Sequence, residues 1–349
     1  MGHNGQSRNV RPVFANEVPQ NMKNDWLLCI FFVLDISGAL SMYSSRSGKS
    51  IRFVRAVINF IIALLLFSTA SAYGESPLLR LAVISERASS PGATLAEMTD
   101  FHRRLGQHLA AAGISLAPLL VVDSIDQLKG LVRRHEVDAF FESMFATLDV
   151  SHLDDAWQPQ LLMWRQGQRN YHSVFFVRND STITSLDDLS GKTVVFESAR
   201  STSAFHLPRL MLEQKGYQVL PDGQISRLPS RYVNYRFAES EINQAYWVDR
   251  QRADVGAFND GDWQRLPESL REHLRIIGHT SPVPRWLFSL DTRLPAEMQA
   301  AVNRSLLQLM KNEDDRKSLQ EASGVTQIEP LTAADRNNLA QWMEALHGQ

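Results

Sequence analysis

Two hydrophobic periods alternate along the chain from residue 79 onward. Short apolar runs typical of buried strands are separated by stretches in which apolar residues recur every three or four positions, as on one face of a helix. In the first unit these patterns follow the order β-α-β-α-β, at residues 79–85, 95–109, 114–122, 124–136 and 137–143. This order predicts a parallel sheet that is covered by helices on both faces.

The same alternation restarts after residue 170. A short capped turn at "SLDDLSG" precedes a buried strand at "KTVVFES", and a helix that begins at Ser201-Thr202-Ser203 ends at Gly216. A strand, a helix and a strand follow at residues 231–237, 240–251 and 253–259. The two units are similar in size but show no sequence repeat, so the pattern indicates a shared architecture only.

Amphipathic helices dominate the last part of the chain. They are predicted at residues 295–312, from 314 onward and at 333–347, and "RWLFSLD" is the one strand expected beyond residue 280. Because these helices lack a sheet of their own, we expect them to pack on the first unit.

This arrangement requires the chain to cross between the two units twice, near Tyr171 and near Pro282. The predicted fold class is therefore α/β with two lobes and two hinge crossings. Lobe 1 comprises residues 77–172 with 280–349, and lobe 2 comprises residues 173–279. Folds of this kind bind their ligand between the lobes, beside the carboxyl ends of strands.

The first 72 residues differ from the rest because they carry two apolar stretches, at residues 26–40 and 53–72. The second follows basic residues and ends in Ala70-Ser71-Ala72, which is typical of a secretory signal peptide. The alternative is a membrane anchor, which needs about 20 apolar residues, and Arg55 and Asn59 shorten this stretch. Cleavage after Ala72 is therefore favoured, while the role of the preceding extension stays open.

Composition adds two constraints. Charged residues make up 21% of the chain and the net charge is −2, which does not favour a nucleic acid as partner. The single cysteine, Cys29, follows Leu27 and Leu28, whereas lipid attachment requires small residues before the cysteine. An exported domain without cysteine has to rely on its core for stability.

The run Ser201-Thr202-Ser203 has two interpretations. Serine and threonine are common helix caps, which satisfy free backbone N–H groups. A helix N-terminus with neighbouring hydroxyls is also suited to bind an anion. The predicted position at the carboxyl end of the strand "KTVVFES" favours the anion site, because α/β sheets bind ligands at that edge.

Several motifs in fixed order carry a resemblance to a known family. Residues 161–212 contain Tyr-His-Ser-Val, then Leu-x-Asp-Leu-x-Gly-Lys, then Ser-Thr-Ser before a helix that includes a proline. "VDAFFES", "ADVGAFND" and "SPVPRWLFSLDTRLP" extend the match over residues 79–331. The chain thus resembles the periplasmic phosphate/phosphite/phosphonate-binding proteins of ABC transporters, which belong to the type II periplasmic binding proteins.

The resemblance implies a set of ligand-binding residues. It assigns the oxyanion to the three hydroxyls of the Ser-Thr-Ser run, and it directs residues of the first crossing and of "ADVGAFND" toward the cleft. The alternatives are hinge packing for residues 171–173 and a turn for residues 259–260. The implied residues are Ser201, Thr202, Ser203, Glu142, Ser143, Tyr171, His172, Ser173, Asn259 and Asp260.

Two positions depart from the family pattern. Glu142 and Ser124 stand where family members carry tyrosines. A carboxylate at position 142 repels a dianion, which favours a protonated oxyanion or a zwitterion as ligand. Arg285 is open between a position in the cleft and an ion pair on the surface.

The sequence gives no indication of catalysis. Asp187 and Asp188 are adjacent and point apart on a helix, and the ten histidines include no HExxH arrangement. GxSxG, Walker A and GxGxxG motifs do not occur. We therefore expect no enzymatic activity, no cofactor and no metal.

The predicted function is an exported, monomeric binding protein that closes over a phosphorus oxyanion and presents it to an ABC permease. A sensory module, held at the membrane by its N-terminal segment, is the first alternative. An enzyme of the same fold that acts on a small phosphorylated compound is the second.

Overall fold

The computed structural model describes residues 76–85, 91–223 and 230–347. The predicted signal peptide, the alternative anchor and Cys29 lie outside these residues. Within the described ranges, no helix combines the length and the apolar character needed to cross a bilayer.

The first sheet has six strands in the order β16-β6-β15-β5-β2-β4, with strands and helices numbered along the chain. β2 runs parallel to β4 and β5, whereas β15 is antiparallel to both β5 and β6. The sheet is therefore mixed, and the prediction of a parallel sheet is correct only for β2, β4 and β5. The strands are β2 (Leu81–Ile84), β4 (Leu120–Val122), β5 (Ala139–Glu142), β6 (Trp157–Arg165), β15 (Trp286–Asp291) and β16 (Val325–Pro330).

The second sheet also has six strands, in the order β10-β11-β9-β12-β8-β13. β10, β11, β9 and β12 are parallel, and β8 is antiparallel to β12 and β13. All of them come from one continuous stretch of chain, whereas the first sheet takes strands from both sides of that stretch. The strands are β8 (Ser173–Arg178), β9 (Lys192–Phe196), β10 (Gln218–Pro221), β11 (Tyr232–Phe237), β12 (Val255–Asn259) and β13 (Leu274–His279).

Two segments join the sheets, and they pair with each other. β7 (Asn170–Tyr171) lies antiparallel to β14 (Val283–Pro284), with Tyr171 opposite Val283. These are the positions at which the sequence predicts the two crossings. A further parallel pair, β1 (Leu78–Leu79) with β3 (Ser115–Leu116), flanks the first sheet.

Helices cover both sheets. The C-terminal helices pack on the first sheet as predicted: Val302, Leu306 and Leu319 share a core with Phe101 of the first helix and Phe288 of β15. The helices are α1 (Pro91–Ala111), α2 (Ile125–Arg133), α3 (Met144–Leu153), α4 (Leu207–Gln214), α5 (Glu241–Asp249), α6 (Asp260–Arg265), α7 (Glu268–Arg271), α8 (Ala296–Leu309), α9 (Glu313–Ser323) and α10 (Ala333–His347).

Several elements differ from the sequence predictions. The strand expected at residues 114–122 is divided into β3 and β4, with Pro118 between them, because proline cannot donate to a ladder. The edge strand β16 was not expected. Helix α3 was also not expected, because it is buried nearly all round and so lacks an amphipathic period.

The short turn predicted at "SLDDLSG" is confirmed. It forms a 3-10 helix, Leu186–Asp188, in which the Ser185 hydroxyl accepts from the Asp187 N–H and the Asp188 carboxylate accepts from the Ser185 N–H. This capping box satisfies backbone donors that would otherwise be free.

Candidate ligand-binding site

A cavity of about 1100 Å³ lies at the carboxyl ends of strands from both sheets. Ile84, Glu142, Glu197 and Asn259, which line it, stand at or next to the ends of β2, β5, β9 and β12. This is the edge at which α/β sheets bind ligands.

The Ser-Thr-Ser run lines this cavity, but it does not begin an α-helix as predicted. Residues Thr202–His206 form a π-helical turn, and α4 starts only at Leu207. Its bonds span five residues: His206 N–H donates to the Ser201 carbonyl at 3.0 Å, and Leu207 N–H donates to the Thr202 carbonyl. The apolar periodicity that predicts a helix does not distinguish these two geometries. Turns of this kind are frequent at functional sites.

The three hydroxyl residues have different surroundings. Ser201 is a cap, because its Oγ accepts from the Ala204 N–H at 3.1 Å. Thr202 and Ser203 are buried, with 5% and 7% of their surface exposed. In the described part of the chain, the buried Thr202 Oγ1 has no hydrogen-bond partner of acceptable geometry. The cap interpretation therefore holds for Ser201 and leaves Thr202 unexplained.

Ser173 lies behind this turn and not in the cavity. It is completely buried, and its Oγ donates to the Ser203 carbonyl at 2.6 Å. Its own N–H donates to Thr280 Oγ1 at 2.9 Å. The prediction of a cleft-facing Ser173 is corrected, because the register of β8 points this side chain at the turn.

His172 and Asp260 are also outside the set of residues that line the cavity. The Asp260 carboxylate accepts from Gln168 Nε2 at 3.1 Å and from the His172 N–H at 3.3 Å. The His172 ring packs edge-on against His279, 5.7 Å between centroids. These contacts tie the first crossing to the start of α6, which corresponds to the hinge-packing alternative.

Asn259 lines the cavity but already serves as a cap. Its Oδ1 accepts from the Asp262 N–H at 2.9 Å, and its Nδ2 donates to the Asp262 carboxylate. The side chain is 4% exposed and fixes the start of α6. This geometry corresponds to the turn interpretation of residues 259–260.

Glu142 and Ser143 lie in the cavity wall on the side of the first sheet. They mark the end of β5 and the N-cap position of α3, and the Ser143 N–H donates to Glu142 Oε2. The Ser143 hydroxyl makes no capping bond to α3. The junction between β5 and α3 thus contributes a carboxylate and a hydroxyl to the cavity.

Tyr171 and Arg285, from the paired crossing segments, lie side by side in the same wall. They are 3% and 8% exposed, and the Arg285 Cζ lies 4.3 Å from the centre of the Tyr171 ring. Burial raises the pKa of Tyr171, the nearby Arg285 charge and the contact of the phenol with the Thr202 side chain lower it, and the Glu142 charge raises it. The phenol is therefore neutral at physiological pH. Of the two alternatives for Arg285, the structure shows the position in the cleft.

His206 is a cavity residue that the sequence analysis did not identify. Its ring stacks on Phe145 of α3, with 4.6 Å between centroids and 18° between planes. Burial lowers its pKa to about 4, and Arg209 adds to this effect. The neutral ring forms a contact between the turn of the second sheet and a helix of the first. No motif in the sequence signals such a contact.

The cavity wall mixes hydroxyls with charges of both signs. No cluster of histidine, cysteine, aspartate or glutamate suited to a metal occurs among the described residues. Convergent hydroxyl and guanidinium donors are suited to bind an anion. The charged lining residues are Glu142, Asp149, Arg165, Glu197, Arg200, Arg209, Glu213, Glu241, Asp262, Arg265 and Arg285.

Comparison with solved structures shows similar folds. XAC2383 from Xanthomonas citri, in structures bound to chloride ion and to ATP, is 27% identical, with 78% of this chain and 98% of that chain covered and TM-scores of 0.69 and 0.68. PhnD1 from Prochlorococcus marinus in complex with methylphosphonate is 14% identical, with 78% of this chain and 99% of that chain covered and a TM-score of 0.55. PA3383, a binding protein component of an ABC phosphonate transporter from Pseudomonas aeruginosa, is 16% identical. The match covers 77% of this chain and 87% of that chain, with a TM-score of 0.53. These likenesses confirm the predicted fold class, a two-lobe periplasmic binding protein.

No curated protein sequence matches the chain. The family model for the periplasmic substrate-binding proteins of phosphonate ABC transporters does match, over residues 88–336. This match covers most of the chain and confirms the family that the sequence motifs predict. The chain therefore belongs to the family of periplasmic phosphonate-binding proteins of ABC transporters.

Proposed function

We propose that this chain captures a phosphonate or a related phosphorus oxyanion in the cavity through Ser201, Thr202 and Ser203, and delivers it to an ABC permease. The observation that supports this assignment is the buried Thr202 hydroxyl, which lacks a partner of acceptable geometry among the described residues. Leaving a buried polar group unsatisfied costs about 1–3 kcal/mol. A ligand oxygen in the cavity would remove this cost.

The chemistry of the turn suits a tetrahedral oxyanion. Such a group needs several donors that converge from different directions, and hydroxyls and backbone amides provide them. Glu142 in the opposite wall repels a second negative charge, which favours a monoanion or a ligand that also carries an amine. His206, neutral above pH 4, adds no positive charge.

Closure of two lobes is the proposed mechanism of capture. Residues 77–172 with 280–349 form one lobe, residues 173–279 form the other, and β7 with β14 forms the hinge. The cavity has lining residues from both, so a ligand that contacts both stabilises the closed state by its higher affinity for that state.

The partner and the location follow from the family. A periplasmic substrate-binding protein acts with an inner-membrane permease, which favours transport over the sensory alternative. We further propose that the chain is exported by cleavage after Ala72, acts as a monomer and catalyses no reaction. The proposal that the chain catalyses no reaction is supported by the position of Asp187. Its carboxylate is exposed and pairs with Lys215 and Arg231, away from the cavity.

A larger phosphorylated compound is the second candidate ligand. The cavity of about 1100 Å³ could hold about 35 water molecules at roughly 30 Å³ each, far more than methylphosphonate displaces. XAC2383, which is 27% identical, has been solved bound to ATP. A phosphate ester or nucleotide would use the same hydroxyls for its phosphoryl group and the remaining space for its organic part.

A thermal-shift panel on the purified protein tests this function. The ligands are phosphate, phosphite, methylphosphonate, 2-aminoethylphosphonate, ATP and sulfate. A ligand at 100 times its Kd adds about 2.7 kcal/mol to the free energy of unfolding. We expect a phosphorus compound to raise the melting temperature and sulfate to do so less. No shift with any phosphorus compound would contradict the proposal.

A pair of valine variants tests the site itself. Thr202→Val removes the unsatisfied hydroxyl at nearly constant shape, and we expect it to weaken binding of the best panel ligand about 10- to 100-fold. Thr147→Val is the matched control, because Thr147 Oγ1 is also buried without a partner among the described residues but is not part of the cavity lining. Wild-type affinity in the Thr202 variant would contradict the assignment.

A further inference from the structure

Arg285 occupies an unusual position for a charged residue. It stands between β14 and β15, where its backbone N–H donates to the Arg169 carbonyl at 2.9 Å. Only 8% of Arg285 is exposed, and Arg285 lines the cavity. An arginine that is buried to this extent normally has a carboxylate partner, since burying an unpaired charge costs several kcal/mol.

Among the described residues, no carboxylate forms an ion pair with Arg285, and its buried Nε has no hydrogen-bond partner of acceptable geometry. The contacts that it makes are with Tyr171: the guanidinium carbon lies 4.3 Å from the ring centre, and the phenol lies within hydrogen-bonding reach of the guanidinium. A cation–π contact of this kind stabilises the charge by less than the cost of burying it.

Two other partly buried arginines in the described part of the chain are paired with carboxylates. Arg169, two residues before Tyr171, donates to Glu329 at 2.7 Å and to Asp335 at 2.9 Å. Arg80 donates to Asp138 at 2.8 Å. The fold thus provides carboxylates for these two arginines but not for Arg285.

Arg285 and the Ser-Thr-Ser turn come from different sheets but line one cavity. Tyr171 connects the two groups: its ring lies under the guanidinium, and the charges of Arg285 and Glu142 both act on its phenol. Thr202, in the wall formed by the second sheet, also has a buried polar atom without a partner of acceptable geometry among the described residues. Each sheet therefore contributes a buried donor without such a partner to the cavity.

We propose that Arg285 is a ligand-binding residue whose guanidinium binds the anionic oxygens of the ligand from the side of the first sheet. This inference rests on the proposed function and extends it to a second anchor and to the class of ligand. The guanidinium offers a planar fork of donors that matches two oxygens of one phosphonyl or phosphoryl group. The site therefore selects ligands with at least two terminal oxygens on one phosphorus, and it disfavours neutral esters.

The positive charge of Arg285 also changes how strongly Glu142 repels an anionic ligand. A net positive contribution from Arg285 offsets the repulsion that the carboxylate exerts on the ligand. A phosphonate that carries an amine presents its anionic end to Arg285 and its ammonium to Glu142, so both charges of the site favour it. Among simple phosphonates, 2-aminoethylphosphonate is the expected better ligand.

Two substitutions at this position separate binding from folding. Arg285→Met keeps the length of the side chain and removes the charge, and Arg285→Lys keeps the charge without the fork. With methylphosphonate as probe in isothermal titration calorimetry, we expect Kd to rise about 10- to 100-fold in the Met variant and by a smaller factor in the Lys variant. Arg178→Met is the matched control, because Arg178 is partly buried, is paired with Asp180 at 2.6 Å and does not line the cavity. We expect it to change Kd less than about threefold.

The ligand-free protein supplies an independent readout. Removing an unpaired buried charge should leave the melting temperature of the Arg285→Met variant unchanged or higher, whereas a structural arginine would lower it. Unchanged Kd in this variant, or a lower melting temperature without ligand, would overturn the inference. If the wild-type protein binds no phosphorus compound, the proposed function fails, and the melting temperatures still decide whether Arg285 is an unpaired cation.

Discussion

The hydroxyl of Ser173 donates a hydrogen bond of 2.6 Å to the carbonyl of Ser203. This bond joins Ser173, the first residue of β8, to the π-helical turn, thirty residues later in the chain. Ser173 itself is completely buried. The turn that presents Thr202 is therefore fixed from behind by the second sheet.

Ser173→Ala should weaken both folding and binding. The Ser203 carbonyl would lose its donor, which lowers the free energy of unfolding by about 1–3 kcal/mol and lets the turn relax. Urea denaturation measures the first effect and calorimetry with the best panel ligand measures the second. Ser151→Ala is the control, since Ser151 Oγ donates to the Trp157 carbonyl at 2.7 Å away from the cavity lining. It should lose stability and keep its affinity. Equal affinity in both variants would contradict this role of Ser173.

Asn259 should affect stability through its cap. Asn259→Ala removes the bond to the Asp262 N–H and should lower the free energy of unfolding by about 1 kcal/mol. Asn259→Ser keeps a capping oxygen, so we expect it to restore stability and retain wild-type affinity. A loss of affinity in the serine variant would show that the amide itself contacts the ligand.

His206 should make the protein sensitive to mild acid. Its pKa is lowered from 6.5 to about 4 in the folded chain, so between these values the unfolded chain binds a proton that the folded chain does not. The contribution to stability is complete above pH 6.5 and falls toward pH 4, by up to about 1.4 kcal/mol per pH unit. His206→Phe keeps the stack on Phe145 and should flatten the dependence of melting temperature on pH in this range. His273→Gln, at an exposed site, is the control and should not. An unchanged slope in the phenylalanine variant would contradict the assignment.

Gly256 should tolerate no side chain. A Cβ at this position of β12 would lie 2.2 Å from the Phe176 ring on the adjacent strand β8. Gly256→Ala should lower the free energy of unfolding by about 1–3 kcal/mol or more, and adding Phe176→Leu should recover part of the loss. Gly92→Ala is the control, because a Cβ there meets nothing within 4 Å. Thermal unfolding of the four proteins checks this, and an unaffected Gly256 variant would contradict it.

The sequence predicts the fold well where periodicity is clear. The strands at "KTVVFES" and "ADVGAFN", the C-terminal helices and the positions of the two crossings agree with the structure. The prediction fails for α3, where burial on nearly all sides removes the hydrophobic periodicity of a helix. It also fails for β16, which lies at the edge of its sheet.

The candidate site is only partly readable from sequence. The place of Ser201-Thr202-Ser203 at the end of a strand follows from local patterns, but the π-helical spacing does not. The unpaired state of Arg285 depends on which carboxylates the fold brings near, and the use of Ser173 depends on the register of β8. Both are properties of the tertiary structure, which no local motif encodes.

The antiparallel pairing of β7 with β14 has a consequence for motion. Because Tyr171 lies opposite Val283 and Asn170 opposite Pro284, the two connections form a single ribbon. Any rotation of one half of the molecule against the other must bend both strands of this ribbon together, about an axis across it. Twisting that would separate the strands breaks their hydrogen bonds, so we expect the proposed closure to bend this ribbon and to keep its strands paired. Tyr171 and Arg285, which belong to this ribbon or adjoin it, are then the cavity residues that move least.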